Sequence, residues 1–133
     1  EVVLIDRNKD KAYGEKLDLE HAMSLLPNYV TVTGTDDYGE LAGAGLVVYT
    51  AGVAQAPGQT RLDLISTNKK ILEECLPKIR SAAPEAIVLI VTNPVDVLTY
   101  FANKIIDSSP SQSTSYPEST RDLRFATKYR EGK

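Results

Sequence analysis

Along the chain, segments in which the hydrophobic residues have the spacing of a strand are followed by segments in which they have the spacing of a helix. Four short apolar or alternating runs predict strands: "VVLID" (2–6), "YVTVTG" (29–34), "GLVVYTAG" (45–52) and "AIVLIV" (86–91). Apolar residues at helical spacing predict helices over 12–26, 60–83 and 94–106. Pro77 should end the second helix near Leu76, or kink it, because the proline ring removes a helix hydrogen bond. The segment "DDYGELAGA" predicts at most a short, turn-like helix, since two glycines interrupt it.

The order of these elements indicates an α/β fold. Strands alternate with helices, and two of the strands, "LVVY" and "AIVLIV", are almost wholly apolar, as strands covered on both faces must be. This pattern predicts a doubly wound parallel sheet, with helices on both faces. In such a sheet the ligand lies at the carboxyl ends of the strands. The residues that follow each strand are therefore the first candidates for a binding site.

Asp6 follows the first predicted strand. At the end of the second strand of a dinucleotide-binding unit, a carboxylate can accept hydrogen bonds from both hydroxyls of the adenosine ribose, and its charge repels a 2′-phosphate. In that position Asp6 would select NAD over NADP. The alternative is structural, because the same aspartate could cap a helix that begins near Asn8 or Lys9.

Two further strand ends carry residues suited to a cofactor. Thr50, Ala51 and Gly52 follow "LVVY", and the small residues among them let the backbone approach a pyrophosphate or a ribose closely. A plain turn would use the same residues. Asn93 follows "IVLIVT" and can both donate and accept hydrogen bonds across the same crevice. An asparagine before a proline is also common in turns and helix caps.

Composition narrows the range of functions. The chain has 133 residues, enough for one domain, with 42% hydrophobic and 25% charged residues, as in an ordinary globular protein. The net charge of -3, with both signs interspersed, argues against nucleic acid as the main partner. No membrane span and no secretory signal are found, so a cytoplasmic protein is expected. Cys75 is the only cysteine and is expected to be a buried structural thiol, and no metal site is predicted.

Several of these segments together resemble the NAD-dependent L-lactate and malate dehydrogenase family. The match rests on "VVLID", "LDLEHA", "VVYTAGVAQAPGQTRLDLISTN" and "IVLIVTNPVDVLTY", in that order, and runs from Glu1 to about Ile106. The resemblance implies a Rossmann-type cofactor domain with NAD as its cofactor. It also implies hydride transfer between NAD and the C2 atom of a small 2-hydroxy or 2-oxo acid. For the full-length form it implies a homo-oligomer.

The resemblance also assigns roles to the segment after Gly52. In the family this segment is a lid that closes over cofactor and substrate and excludes water. By this match Arg61 is catalytic and polarises the ketone oxygen, while Asn93 orients that oxygen near the nicotinamide. Gln55 contacts the variable end of the substrate. A neutral amide there suits the methyl group of pyruvate, whereas malate enzymes need an arginine. Gln55 therefore favours lactate dehydrogenase, with malate dehydrogenase as the alternative.

The chain departs from the family at both ends. No "GxGxxG" motif occurs, and Glu1 starts on what resembles the second strand of the family, so a gap is expected where the first strand belongs. No segment matches the one that carries the catalytic histidine. His21, the only histidine, falls in "LDLEHA", where a structural or surface role is expected. The predicted domains are an incomplete NAD-binding domain over 1–107, without the substrate domain, and a tail over 108–133 that is Ser/Thr/Pro-rich at its start.

Two hypotheses of different classes follow from these departures. The first is an L-lactate dehydrogenase-like protein without part of the catalytic machinery, so that this chain alone should be a poor catalyst or none. The second is a non-catalytic, truncated module that binds an adenine nucleotide or assembles with full-length subunits. A longer transcript that carries the Gly-rich loop upstream and the histidine segment downstream would support the first hypothesis. Natural termini at Glu1 and Lys133, together with no hydride transfer between NADH and pyruvate, would favour the second.

Overall fold

The computed structural model describes residues 1–23, 25, 27 and 29–107. Within these residues the strands and α-helices follow one another in the order β1 Val2–Ile5, α1 Lys9–Met23, β2 Val32–Thr35, β3 Leu46–Tyr49, α2 Arg61–Ala82, β4 Ile87–Ile90 and α3 Val95–Asp107. A short 3-10 helix, Tyr38–Leu41, precedes β3. This order confirms the predicted α/β class. The tail predicted over 108–133 lies outside the described residues.

The strands form two separate parallel pairs. β1 pairs with β2, with Val2 opposite Val32, and β3 pairs with β4, with Leu46 opposite Ile87. Among the described residues no strand is hydrogen-bonded to both pairs. In the Rossmann strand order, β1 to β4 correspond to the second to fifth strands, and the first strand lies between β1 and β3. For the described part of the chain, the expected gap in the sheet is therefore confirmed.

One hydrophobic core holds most of the molecule together. It lies between β3, β4, α2 and α3, and among its least exposed side chains are Leu72, Leu76, Ile90 and Leu98. Ile5, at the end of β1, and Tyr38, in the 3-10 helix, pack against this core. These two contacts hold the β1–β2 half against the β3–β4 half. Among the described helices, none has the length and apolar character that a membrane span requires.

Pro77 does not end α2. The helix runs from Arg61 to Ala82 with the proline inside it, so of the two predicted effects of Pro77 the end near Leu76 is wrong, while the kink stays a prediction. The proline deprives the carbonyl of Glu73 of its helical partner, but both residues are exposed, so that water can satisfy this oxygen. On the opposite face Leu76 and Ile79 are buried, and their packing in the core stabilises the helical conformation on both sides of the proline.

Two predictions of burial need correction. The strand "AIVLIV" was predicted to be buried on both faces. This is right for Val88, Leu89 and Ile90, but Ile87 is 58% exposed. Ile87 lies on the same strand face as Leu89, but it is the first residue of β4 and is exposed at this end of the strand. Cys75 is half-buried rather than buried, because its position on α2 falls at the margin of the core-facing stripe.

Candidate functional site

The residues that follow β3 and β4 lie in direct contact. The hydroxyl of Thr92 donates a hydrogen bond to the carbonyl of Ala51 at 2.9 Å. Since β3 and β4 are parallel neighbours, their carboxyl ends meet at one edge of the sheet. Thr50, Ala51, Gly52 and Asn93 are exposed at this edge. We call Thr50, Ala51, Gly52, Thr92 and Asn93 the β3–β4 rim.

Gly52 lies where the rim has no room for a side chain. A Cβ atom at this position would collide with the methyl group of Thr92 and would lie 3.1 Å from Oδ1 of Asn68. Glycine is therefore needed for the two strand ends to approach each other. Because Gly52 is exposed on its other side, its bare backbone is also open to a ligand. Gly52 can therefore both allow the tight packing against Thr92 and let a ligand approach its backbone closely.

A buried asparagine joins the two strand ends. Asn68 lies on α2 and is 1% exposed. Its Oδ1 accepts a hydrogen bond from the backbone N–H of Val53 at 2.8 Å. Its Nδ2 donates to the carbonyl of Asn93 at 2.9 Å and to the carbonyl of Val53 at 3.3 Å. Both N–H bonds of the amide and its oxygen are thus engaged, which offsets the cost of burying a polar group.

Sequence reasoning missed Asn68, although the pattern contained one signal. Position 68 falls within the apolar stripe of α2, which also includes Ile65, Leu72, Leu76 and Ile79. A polar side chain on a buried helix face needs a hydrogen-bond partner. The identity of that partner could not be deduced, because Val53 and Asn93 lie 15 and 25 residues away along the chain.

Asp6 makes its hydrogen bonds within its own segment. Its Oδ1 accepts from the backbone N–H of Asn8 at 2.9 Å, and its Oδ2 pairs with Nζ of Lys11 at 3.0 Å. The Asn8 N–H first, and then Lys11, lower the pKa of Asp6 and keep its carboxylate charged at neutral pH. The helix cap is Asn8, whose Oδ1 accepts from the N–H of Lys11 at 3.1 Å, and α1 therefore starts at Lys9 rather than at Ala12.

Helix capping, the alternative role predicted for Asp6, is thus carried out by Asn8. The side chain of Asp6 is 31% exposed, so its carboxylate can still accept hydrogen bonds from a ligand. The contacts of the described residues do not join Asp6 to the β3–β4 rim. Its convergence on that rim with Gly52 stays a prediction.

The exposed residues 54–59, which we call the 54–59 loop, form a turn with internal hydrogen bonds. The N–H of Gln59 donates to the carbonyl of Ala56 at 3.1 Å, and Gly58 has a φ of 83°, a left-handed value that suits glycine. Nε2 of Gln55 donates to the carbonyl of Gln59 at 2.8 Å, and Oε1 of Gln59 accepts from the N–H of Ala56 at 3.0 Å. The amide of Gln55 thus donates one hydrogen bond within the loop.

Arg61 stands at the junction of the 54–59 loop with α2. It is the first residue of the helix and is exposed. A capping box fixes this helix start: Oγ1 of Thr60 accepts from the N–H of Asp63 at 3.2 Å, and Oδ2 of Asp63 accepts from the N–H of Thr60 at 3.0 Å. The Thr60 hydroxyl, followed by its backbone N–H, lowers the pKa of Asp63. The backbone of Arg61 is thus held at a rigid helix terminus.

The remaining candidates lie elsewhere. His21 is exposed in the last turn of α1, which agrees with the predicted surface position. Within the described residues, no group of three or more His, Cys, Asp or Glu side chains could hold a metal ion.

The fold and the rim define the class of protein. Parallel strand pairs covered by helices, with a glycine and an asparagine at adjacent carboxyl ends, are typical of a dinucleotide-binding α/β domain of the Rossmann type. Within that class the chain belongs to the lactate/malate dehydrogenase family. The NAD binding domain of this family matches residues 1–115, slightly further than the sequence signatures indicate.

Individual relatives include both kinds of dehydrogenase. The chain is 47% identical to the L-lactate dehydrogenase of Thermoanaerobacterium saccharolyticum over 105 residues, which cover 79% of this chain and 33% of the relative. The structure of the malate dehydrogenase from Archaeoglobus fulgidus in complex with NADH is similar with a TM-score of 0.74 and 44% identity, over 77% of this chain and 35% of that one. The minor L-lactate dehydrogenase from Enterococcus mundtii, in a ligand-bound form, gives a TM-score of 0.73 and 41% identity, over 80% and 34%.

The chain therefore spans about a third of the length of the relatives it matches. The predicted family and the Rossmann-type fold are confirmed. Because lactate and malate dehydrogenases match at similar identities, overall similarity does not distinguish the two substrates.

Proposed function

We propose that this chain is the NAD-binding part of an L-lactate dehydrogenase-like protein. The observation that carries the proposal is the β3–β4 rim, where bare backbone at Gly52 lies beside Asn93 at the carboxyl ends of parallel strands. This is the edge at which α/β sheets bind their ligands. The family match to an NAD binding domain supports the choice of ligand.

Asp6 and the residues of the β3–β4 rim have separate tasks in this proposal. The ionised carboxylate of Asp6 accepts hydrogen bonds from the adenosine ribose and disfavours a 2′-phosphate. The backbone of Thr50, Ala51 and Gly52 lies against the cofactor. The side chain of Asn93 orients the substrate oxygen. NAD itself would supply or accept the hydride.

The 54–59 loop and Arg61 act on the substrate in this proposal. Closure of the loop excludes water, which strengthens the electrostatic effect of Arg61 on the ketone oxygen. In this proposal the backbone of Arg61 stays fixed at the start of α2, and its exposed side chain turns toward the substrate when the loop closes. Gln55 then leaves the carbonyl of Gln59 and contacts the variable end of the substrate, where its neutral amide suits the methyl group of pyruvate.

A specific observation favours the non-catalytic module as the second candidate. His21, the only histidine of the chain, is exposed on α1, and the described part of the rim contains no group suited to moving a proton at neutral pH. We therefore expect binding without significant turnover when this chain is studied alone. The complete activity, together with a domain limit near residue 107, a homo-oligomeric assembly and a cytoplasmic location, belongs to the proposal for the full-length form.

Cofactor choice tests the role of Asp6. The unaltered chain should bind NADH more tightly than NADPH, and Asp6→Asn should narrow this preference about tenfold, because a unit charge close to the 2′-phosphate is removed. Titration of the purified chain, followed by the fluorescence of each reduced cofactor, measures both affinities.

Asp18→Asn is the matched control, since Asp18 is exposed on α1 and its replacement removes the same charge. The control should keep the preference of the unaltered chain. Equal affinity for the two cofactors before any substitution, or no binding of either, would contradict the proposal.

Substrate choice tests the role of Gln55. Residues 50–60 of this chain, transplanted into the malate dehydrogenase of Archaeoglobus fulgidus, should shift the ratio of kcat/KM for pyruvate over oxaloacetate by at least about tenfold, because the neutral amide cannot pair with a second carboxylate. Steady-state rates with both acids give this ratio.

The same transplant with Gln55→Arg is the control and should retain a preference for oxaloacetate. If the two transplants give the same ratio of kcat/KM for pyruvate over oxaloacetate, Gln55 does not determine the substrate, and the assignment to lactate rather than malate fails.

A further inference from the structure

Asn68 occupies a position where stability alone would favour an apolar residue. It is 1% exposed on the core-facing stripe of α2, and its side-chain amide hydrogen-bonds to no residue of its own helix among the contacts described. A polar group in such a place is tolerated only when its hydrogen bonds are made, and those bonds lead to Val53 and Asn93. The side chain therefore connects three separate segments: α2, the start of the 54–59 loop and the residue after β4.

Both ends of the 54–59 loop are held by the same helix. Val53, just before the loop, is bound on its N–H and its carbonyl by Asn68, and the residue just after the loop, Thr60, is bound by Asp63. Thr60 and Asn68 lie on α2 about two turns apart, or roughly 12 Å along the axis. Any movement of the loop therefore takes place between two anchors on one rigid element.

The third bond of Asn68 adds Asn93 to this arrangement. Its Nδ2 donates to the carbonyl of Asn93 at 2.9 Å, while its Oδ1 holds the N–H of Val53 at 2.8 Å. The planar amide of Asn68 thus sets the distance between the base of the loop and the backbone of Asn93. The absence of a side chain at Gly52 lets this contact form, since a Cβ atom there would lie 3.1 Å from Oδ1 of Asn68.

We propose that Asn68 is a positioning residue, whose amide holds Asn93 and the base of the 54–59 loop at a fixed separation without touching cofactor or substrate. We infer that this separation aligns Asn93 with the residues of the loop over one ligand. This part of the inference rests on the proposed function. The positioning itself is a property of the unliganded chain and can be measured without any ligand.

Two substitutions separate the acceptor from the donors of this amide. Asn68→Asp keeps an oxygen that can accept from the N–H of Val53 but loses both N–H donors. Asn68→Leu keeps the branched shape of the side chain, although its methyl groups are larger than the amide atoms, and removes the acceptor and the donors together. Asn103→Leu, at an exposed position of α3, is the matched control. Nuclear magnetic resonance of the full chain reports hydrogen exchange of the Val53 amide and the carbonyl carbon shift of Asn93.

In Asn68→Leu, exchange of the Val53 amide should become at least about tenfold faster and the Asn93 carbonyl shift should move. In Asn68→Asp the Val53 amide should stay protected while the Asn93 carbonyl shift moves. In both variants the amides of Leu72 and Leu76 should stay protected, and both variants should bind NADH more weakly. Asn103→Leu should change none of these quantities.

The proposal is overturned if Asn68→Leu leaves Val53 and Asn93 unaltered, since packing volume alone would then explain the residue. It is also overturned if Asn68→Asp releases Val53 as fully as Asn68→Leu does, or if the amides of Leu72 and Leu76 lose protection in both variants. Failure of the unaltered chain to bind NADH would count against the proposed function only, because the exchange measurements need no cofactor.

Discussion

Gly52→Ala should destabilise the chain and abolish binding of NADH. The added methyl group would meet the methyl group of Thr92 and approach Oδ1 of Asn68, so these side chains or the strand ends that carry them must shift. Overpacking of this kind costs about 1–3 kcal/mol in the free energy of unfolding. The movement would also displace the rim backbone that the cofactor is proposed to contact. Urea denaturation measures the first effect, and NADH titration measures the second.

Gly14→Ala provides the matched control for this substitution. A Cβ atom at Gly14 meets nothing within 4 Å, and the residue lies inside α1. Alanine should there raise the free energy of unfolding by about 0.5–1 kcal/mol, because glycine is a poor helix residue. The same chemical change should thus have opposite signs at the two positions. A Gly52→Ala chain as stable as the unaltered one would show that the rim is not packed as described.

Leu72→Ala should have the largest effect on stability. Leu72 is fully buried in the core between α2 and the β3–β4 pair, and truncation leaves a cavity. Replacement of a buried leucine by alanine costs about 2–5 kcal/mol, whereas a domain of this size has only about 5–15 kcal/mol of stability in total. The variant should therefore show a much lower urea midpoint, or be unfolded at room temperature, when circular dichroism is followed against urea.

Leu62→Ala is the control on the same helix. Leu62 is 76% exposed, so its truncation should change the free energy of unfolding by no more than about 0.5 kcal/mol. Comparable losses at the two leucines would mean that α2 does not present Leu72 to the core.

Local patterns were sufficient to predict the elements and the rim. Alternating and helical periods depend on neighbours along the chain, and the element order that they predict is the one observed. The carboxyl-end rule then places Gly52 and Asn93 at one edge without further information, because β3 and β4 are parallel neighbours. The gap beside β1 could be predicted only through the family resemblance, which matches the first strand of this chain to the second strand of the family.

Features that depend on distant contacts could not be predicted in this way. Pro77 was expected to end α2, but the energy that carries the helix past it comes from Leu76 and Ile79 in the tertiary core. Asn68 acts through Val53 and Asn93, which come close only after folding. The turn that engages Gln55 with Gln59 is likewise set by loop geometry rather than by periodicity.

The break between the two strand pairs has a thermodynamic consequence for any bound dinucleotide. Asp6 belongs to one hydrogen-bonded unit and Gly52 to the other, and apolar contacts such as those of Ile5 and Tyr38 connect them. A dinucleotide that contacts both residues would connect the two units across the break. Its affinity would be lowered by the entropy lost when one unit is held against the other, and its binding would in return stabilise the contact between the two units.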